Sequence, residues 1–397
     1  MRGMETVLLH GGIDGDNRTG AVNVPIYQTS TYKQIRLGEH TGYEYSRTGN
    51  PTREALEKLI AELERGARGF AFASGMAAIT AVLTLFKTGD RVLISNNVYG
   101  GTFRVLDKIF SNFGLEYEFV DTTDSLIGNK LTSIENKLTS IENKLASPTK
   151  ALLIESPANP LMTVTDIAAI TAIAKRHGVL SIVDNTFMSP YLQRPIELGA
   201  DIALHSATKY LGGHSDLIAG LVVVADEILG EKLHFIQNAT GGILQPFDSF
   251  LLVRGIKTLG VRLDRHQENA LYVADWLQNH PGVARVYYPG LPGDPGYEIQ
   301  KRQADGPGGM LSFELNDGWD HEAFVNELSL VTLAESLGGV ESLICQPSSM
   351  THASIPEDIR EKLHITEKLL RLSVGIENKE DIAADLEQAF QHARRAS

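Results

Sequence analysis

Cysteine is almost absent from this chain: Cys345 is the only one among 397 residues. A lone cysteine excludes an intrachain disulfide and a cysteine-built metal site, and no metal is expected. Positive charge is also short. Lysine and arginine total 36 against 49 aspartates and glutamates, a net charge of -13. That balance argues against nucleic acid and anionic membranes as partners. No apolar run reaches the length of a membrane span. The stretch Met1-Arg-Gly-Met-Glu-Thr-Val-Leu-Leu-His10 lacks a signal peptide's apolar core and cleavage site. The expectation is a soluble, acidic, cytoplasmic protein.

At 397 residues the chain exceeds the size at which one core stops growing, so two domains are expected. Residues 1–53 read as an irregular arm rich in Gly, Thr, Asn and Tyr. Pro51-Thr-Arg-Glu-Ala-Leu56 then opens a helical pattern with Leu56, Leu59, Ile60 and Leu63. Short apolar strands follow at Gly69–Ala73, Arg91–Ser95, Ala151–Glu155, Ser181–Asp184, Ile202–His205 and Leu221–Val224, alternating with helices. Such alternation predicts an α/β fold with a largely parallel sheet covered on both faces, over 54–249. A second domain, 250–397, is expected to hold strands at Met310–Glu314 and Leu370–Val374. The segment Asn129-Lys-Leu-Thr-Ser-Ile-Glu135 recurs unchanged as Asn136 to Glu142. Its apolar spacing reads as an amphipathic helix lengthened by one duplicated heptad, too short for a coiled-coil interface.

The chemistry concentrates at Ser206-Ala-Thr-Lys209, downstream of Ser181-Ile-Val-Asp184. A lone lysine is ordinarily a solvated surface charge. Here it follows an apolar strand and is flanked by hydroxyl and small residues that let a ligand approach closely. Asp184 closes a strand, and ligands bind at the carboxyl ends of strands in open α/β sheets. Lysine, hydroxyls and carboxylate together fit a Schiff base with pyridoxal phosphate (PLP): the hydroxyls bond its phosphate and the aspartate keeps its ring nitrogen protonated. Ser74-Gly-Met-Ala-Ala78 begins a helix directly after a strand, and the free N–H groups of such a helix start form an anion site. A dinucleotide-binding scaffold is the different-class alternative. It lacks support, because Phe72-Ala-Ser-Gly-Met-Ala-Ala78 is not a G-x-G-x-x-G.

Further motifs extend this set. They are Tyr45-Ser-Arg-Thr-Gly-Asn-Pro-Thr52, Phe72-Ala-Ser-Gly-Met76, Val98-Tyr-Gly-Gly-Thr-Phe-Arg104, Glu155-Ser-Pro-Ala-Asn-Pro160, Val183-Asp-Asn-Thr-Phe187, His205-Ser-Ala-Thr-Lys-Tyr210 and Glu335-Ser-Leu-Gly-Gly-Val-Glu-Ser342. With them the sequence resembles, over nearly its whole length, the cysteine and methionine metabolism family of PLP enzymes. That family includes cystathionine γ-synthase, cystathionine β- and γ-lyases and methionine γ-lyase.

The resemblance implies an aspartate aminotransferase-like, type I PLP fold with a smaller C-terminal α+β domain. It implies that Lys209 carries the cofactor and then moves protons, while Ser206, Thr208, Gly75 and Met76 hold the phosphate. Tyr45 and Arg47 would reach the same phosphate from a neighbouring subunit. Tyr99 would stack on the ring, Asp184 would meet the pyridine nitrogen and Asn159 the phenolic oxygen. Substrate contacts are implied at Arg371, which would fork onto the α-carboxylate, and at Ser336; Glu335 and Arg104 join them on chemical complementarity. The smallest active unit would be a dimer, and the assembly a homotetramer of two such dimers.

Methionine γ-lyases of this family typically carry a cysteine in the loop after the stacking tyrosine. Tyr99-Gly-Gly-Thr102 has none. One branch of bacterial β-lyases has an aromatic where Glu335 stands. A carboxylate there suits the distal ammonium of cystathionine, and Arg104 its distal carboxylate. Cystathionine γ-lyase is therefore the first expectation, γ-synthase the second and β-lyase the third.

Overall fold

The computed structural model describes residues 2–13, 15–16, 18–96, 98–123, 141–145, 148–353 and 357–394. Seven strands build the larger sheet: β1 Arg68–Phe72, β2 Arg91–Ser95, β3 Glu116–Val120, β4 Thr149–Glu155, β5 Leu180–Asp184, β6 Ile202–Ser206 and β7 Gly220–Val224. Their order is β1-β7-β6-β5-β4-β2-β3. The run from β6 through β5, β4 and β2 to β3 is parallel, as the alternation of strands and helices predicts. The exception is β7, which lies antiparallel to both neighbours.

Both faces are covered. On one, Ala71, Ala203, Leu221 and Val223 pack against Leu56, Leu59, Leu63 and Leu252. On the other, Phe70, Val92, Leu204 and Val222 pack against Ala78, Val82, Leu106 and Leu233. A parallel sheet buried on both sides needs strands that are apolar throughout, which is why these segments read as runs and not as alternations.

The smaller sheet contains β8 Val283–Tyr287, β9 Met310–Leu315, β10 Thr332–Leu333, β11 Leu343–Cys345 and β12 Leu369–Ser373, in the order β10-β11-β12-β9-β8. Its core of Leu311, Phe313, Leu370 and Leu372 is closed by Ile382, Leu386 and Phe390 of the helix Lys379–Ala393. The helix Leu259–Gln278 joins the two cores. Leu259 and Leu263 near its start belong to the first, and Ala270, Val273 and Leu277 to the second. The position 249/250 at which a division was expected lies inside the preceding helix, Pro246–Ile256.

The N-terminal arm is less irregular than its composition predicts. Met4–His10 is helical, because Val7 and Leu8 find apolar cover against Leu56 and Leu59. Of the duplicated heptads and the Asn143-Lys-Leu145 that follows them, only residues 141–145 lie within the described region. There Ile141 and Leu145 are buried with Leu152, Ile154 and Ile170. Among the described residues no helix is long and apolar enough to cross a membrane, and no cluster of side chains is suited to a metal ion.

Candidate active site

The register of the larger sheet gathers its polar strand ends. Glu155 closes β4 in register with Asp184 at the end of β5, and Asp184 pairs with Leu204, two residues before the end of β6. A cleft of about 250 Å³ opens above these ends. Ser74, Gly75, Met76, Tyr99, Glu155, Asn159, Asp184, Thr186, Ser206, Thr208, Lys209, Glu335, Ser336 and Arg371 are among the residues lining it.

Lys209 follows β6, and its Nζ donates to Ser336 Oγ at 2.8 Å. Burial, then the nearby positive charge of Arg371, lowers its pKa to about 8, while Glu335 and Cys345 oppose the shift. Ser336 has φ +87°, a left-handed conformation in which a non-glycine residue is strained. That conformation lets one residue serve two partners: its hydroxyl meets Lys209, and its carbonyl accepts from Arg371 Nη2 at 3.0 Å. Arg371, on β12 and 3% exposed, also donates from Nη1 to Asn159 Oδ1 at 2.8 Å. Both residues are thereby fixed, and the Asn159 amide group remains available as a donor.

Asp184 is held from one side. Its Oδ1 accepts both the Thr186 hydroxyl at 2.5 Å and the Thr186 N–H at 3.0 Å. Thr186 Oγ1 in turn accepts the Ser206 N–H at 2.8 Å, tying the ends of β5 and β6 together. Burial raises the Asp184 carboxyl above its ordinary value, with the Thr186 bonds opposing. Burial, followed by the adjacent Asp184 charge, holds Glu155 well above the usual carboxylate range.

The helix Gly75–Leu83 points its N-terminus into the cleft. Ser74 Oγ caps it by accepting from Ala77 N–H, which leaves Gly75 and Met76 at the open end. A Cβ on Gly75 would lie 3.1 Å from both Cβ and Oγ of Ser206. A side chain there would have to push Ser206 back by a few tenths of an ångström. A bare helix terminus with Ser206 and Thr208 beside it, a carboxylate with one oxygen already saturated, and a buried amine fit a phosphate, a protonated ring nitrogen and an aldehyde respectively. The donor set fits PLP.

Tyr45, Arg47 and Arg104 are not among the residues that line the cleft of their own chain. Tyr45 is 47% exposed, and Arg47 donates to the carbonyl of Asn238 on the outer surface. Arg104 lies on the exposed side of the helix Gly100–Lys108. Conversely, the motif reading gave no role to Glu155 or Thr186. Glu155 carries the same signal as Asp184, an acid closing an apolar strand. Thr186 stands two residues after that aspartate, the spacing of an Asx turn.

A family model described as Cys/Met metabolism PLP-dependent enzyme matches residues 5–391. The chain is 55% identical to the cystathionine gamma-lyase of Bacillus subtilis (strain 168) over 388 residues, covering 98% of this chain and 99% of that protein. It is 52% identical to the cystathionine beta-lyase of Lactococcus lactis subsp. cremoris (strain MG1363) over 391 residues, 98% of this chain and 100% of that protein. The crystal structure of cystathionine gamma-lyase from Lactobacillus plantarum complexed with L-serine superposes with a TM-score of 0.94 at 50% identity, covering 99% of each chain.

Proposed function

The chain belongs to the Cys/Met metabolism PLP-dependent enzymes, and from that premise we propose that it is a cystathionine γ-lyase. The reaction converts L-cystathionine and water to L-cysteine, 2-oxobutanoate and ammonia in transsulfuration. The observation that carries this reading is that Lys209, Arg371 and Glu335 face one cleft: an amine, a guanidinium for the α-carboxylate and a carboxylate for the distal ammonium of a diamino acid.

PLP, when bound, supplies an electron sink that weakens the bonds at the substrate's α-carbon. Gly75, Met76, Ser206 and Thr208 hold its phosphate, Asp184 its ring nitrogen, Asn159 its phenolic oxygen and Tyr99 its ring face. Arg371 receives the α-carboxylate, its guanidinium already aligned by Asn159 and the Ser336 carbonyl. Lys209 takes the α-proton, with Ser336 holding its amine, and then moves a proton at the β-carbon so that the sulfur on the γ-carbon can leave. Glu335, on the exposed side of the cleft, accepts a hydrogen bond from the distal ammonium. Tyr45 and Arg47 complete the phosphate site of a partner subunit in a cytoplasmic homotetramer, a dimer of dimers.

The 52% identity to a β-lyase supports a second reading, cleavage on the other side of the sulfur. Incubating the holoenzyme with L-cystathionine separates the two. Equal amounts of 2-oxobutanoate and cysteine are expected. Pyruvate with homocysteine would replace the γ-lyase by the β-lyase reading, and turnover only with cysteine plus an activated homoserine ester would replace it by the γ-synthase.

A further inference from the structure

Asp184 has a carboxylate neighbour to which the proposed reaction gives no role. Glu155 ends β4 in register with it, lines the same cleft and is 7% exposed. Placing two acids side by side in a buried site is costly, and such an arrangement persists where the groups are bonded. The bonds of Glu155 go to backbone. Its Oε2 accepts the Tyr99 N–H at 2.7 Å and its Oε1 the Asn159 N–H at 3.2 Å. Its own N–H donates to Ser95 Oγ, at the end of β2, at 3.3 Å.

Tyr99 precedes the helix Gly100–Lys108, and its side chain makes no capping bond there. The phenol ring is thus free to face the cleft while the backbone beneath it is held by Glu155. Asn159 lies in the loop after β4, and its side chain is already engaged by Arg371. A single carboxylate therefore ties together two segments that are 60 residues apart in sequence, taking Tyr99 to Asn159.

We propose that Glu155 is a positioning residue of this site, its two oxygens fixing the backbones of Tyr99 and Asn159 and hence the aromatic ring and the amide that meet the cofactor. This rests on the PLP reading of the cleft. Glu155→Gln keeps the shape but replaces one acceptor with a donor, leaving one of the two N–H groups without a partner. Glu155→Asp keeps both acceptors on a shorter stem.

The test uses full-length protein stripped of PLP and reloaded, with wild type measured first. Three readouts are taken: PLP dissociation constant, circular dichroism of the cofactor band, and kcat and KM for L-cystathionine. For Glu155→Gln we expect PLP affinity weakened about tenfold, as for an unpaired buried N–H. The cofactor band should lose much of its dichroism, and kcat should fall more than KM rises. Glu155→Asp should show the same changes in smaller measure, and it carries the test if far-UV spectra show that the Gln variant has not folded. Native cofactor dichroism together with unchanged PLP affinity in a folded variant would overturn the proposal, whatever the activity. A wild-type protein that takes up no PLP would overturn the underlying reading and the proposal with it.

Discussion

Lys209 differs from the other lysines in what surrounds its amine. Burial and the Arg371 guanidinium lower its pKa to about 8, whereas an exposed lysine titrates near 10.4. The neutral amine is the nucleophile that captures an aldehyde. Below the lowered value the protonated form dominates, and the neutral fraction grows about tenfold per pH unit until it levels off above that value. The rate of PLP uptake by cofactor-free protein should therefore climb steeply from pH 6 and flatten above about 8, as stopped-flow absorbance would record. A profile still rising tenfold per unit beyond pH 9 would mean that the amine is not perturbed. Lys209 was legible in the sequence because it follows an apolar strand among small and hydroxyl residues, and Asp184 because it ends one. Glu155 ends an apolar strand as Asp184 does. Its partners are backbone N–H groups, which no residue type announces.

Among the elements, the strands buried on both faces were legible to within a residue or two: Arg91–Ser95 as read, and Ile202–Ser206 for an expected Ile202–His205. β3, β8, β10 and β11 were not read from the sequence; β3, β8 and β10 are sheet edges, and β11, an inner strand, has only three residues. Glu116-Tyr-Glu-Phe-Val120 and Val283-Ala-Arg-Val-Tyr287 mix exposed and buried positions, so neither presents an apolar run. The antiparallel direction of β7 was also invisible, since apolarity reports burial and not direction. The helix Gly100–Lys108 shows how an element serves the site. A Cβ on Gly101 would lie 2.4 Å from the Tyr99 ring and 2.8 Å from Met76 Sδ. Gly101→Ala must push the ring or the methionine aside, at a cost of about 1–3 kcal/mol. The expected outcome is a lowered thermal midpoint together with weaker PLP binding, read by calorimetry and equilibrium dialysis. An unchanged PLP affinity would mean that the Tyr99 ring does not touch the cofactor.

For the whole molecule, the question is why a chain with so complete a cleft leaves Tyr45 and Arg47 outside it. Arg47 rests against Asn238 and over the Tyr45 ring, 5.6 Å from its centroid. If these residues serve the partner's phosphate, Arg47→Ala and Lys209→Ala damage different sites within a mixed dimer. Each variant alone should be impaired. Co-expressed in equal amounts they should recover about a quarter of wild-type activity, the share of intact sites under random pairing. No recovery beyond the separate activities would place both residues in the same chain's site. The α/β body with helices on both faces was legible from strand–helix alternation, and its type I character only through the resemblance. An assembly is expected only through the resemblance, because an exposed tyrosine and arginine look the same in sequence whether they face solvent or a neighbour.

The central claim is that Lys209 is the amine on which the chemistry of this cleft turns. It is tested most directly by reducing the purified holoenzyme with borohydride, digesting it and locating the pyridoxyl group by mass spectrometry. The account predicts one modified peptide, with the label on Lys209, and loss of activity in proportion to labelling. A label on another lysine, or none in a protein that still turns over cystathionine, would contradict it.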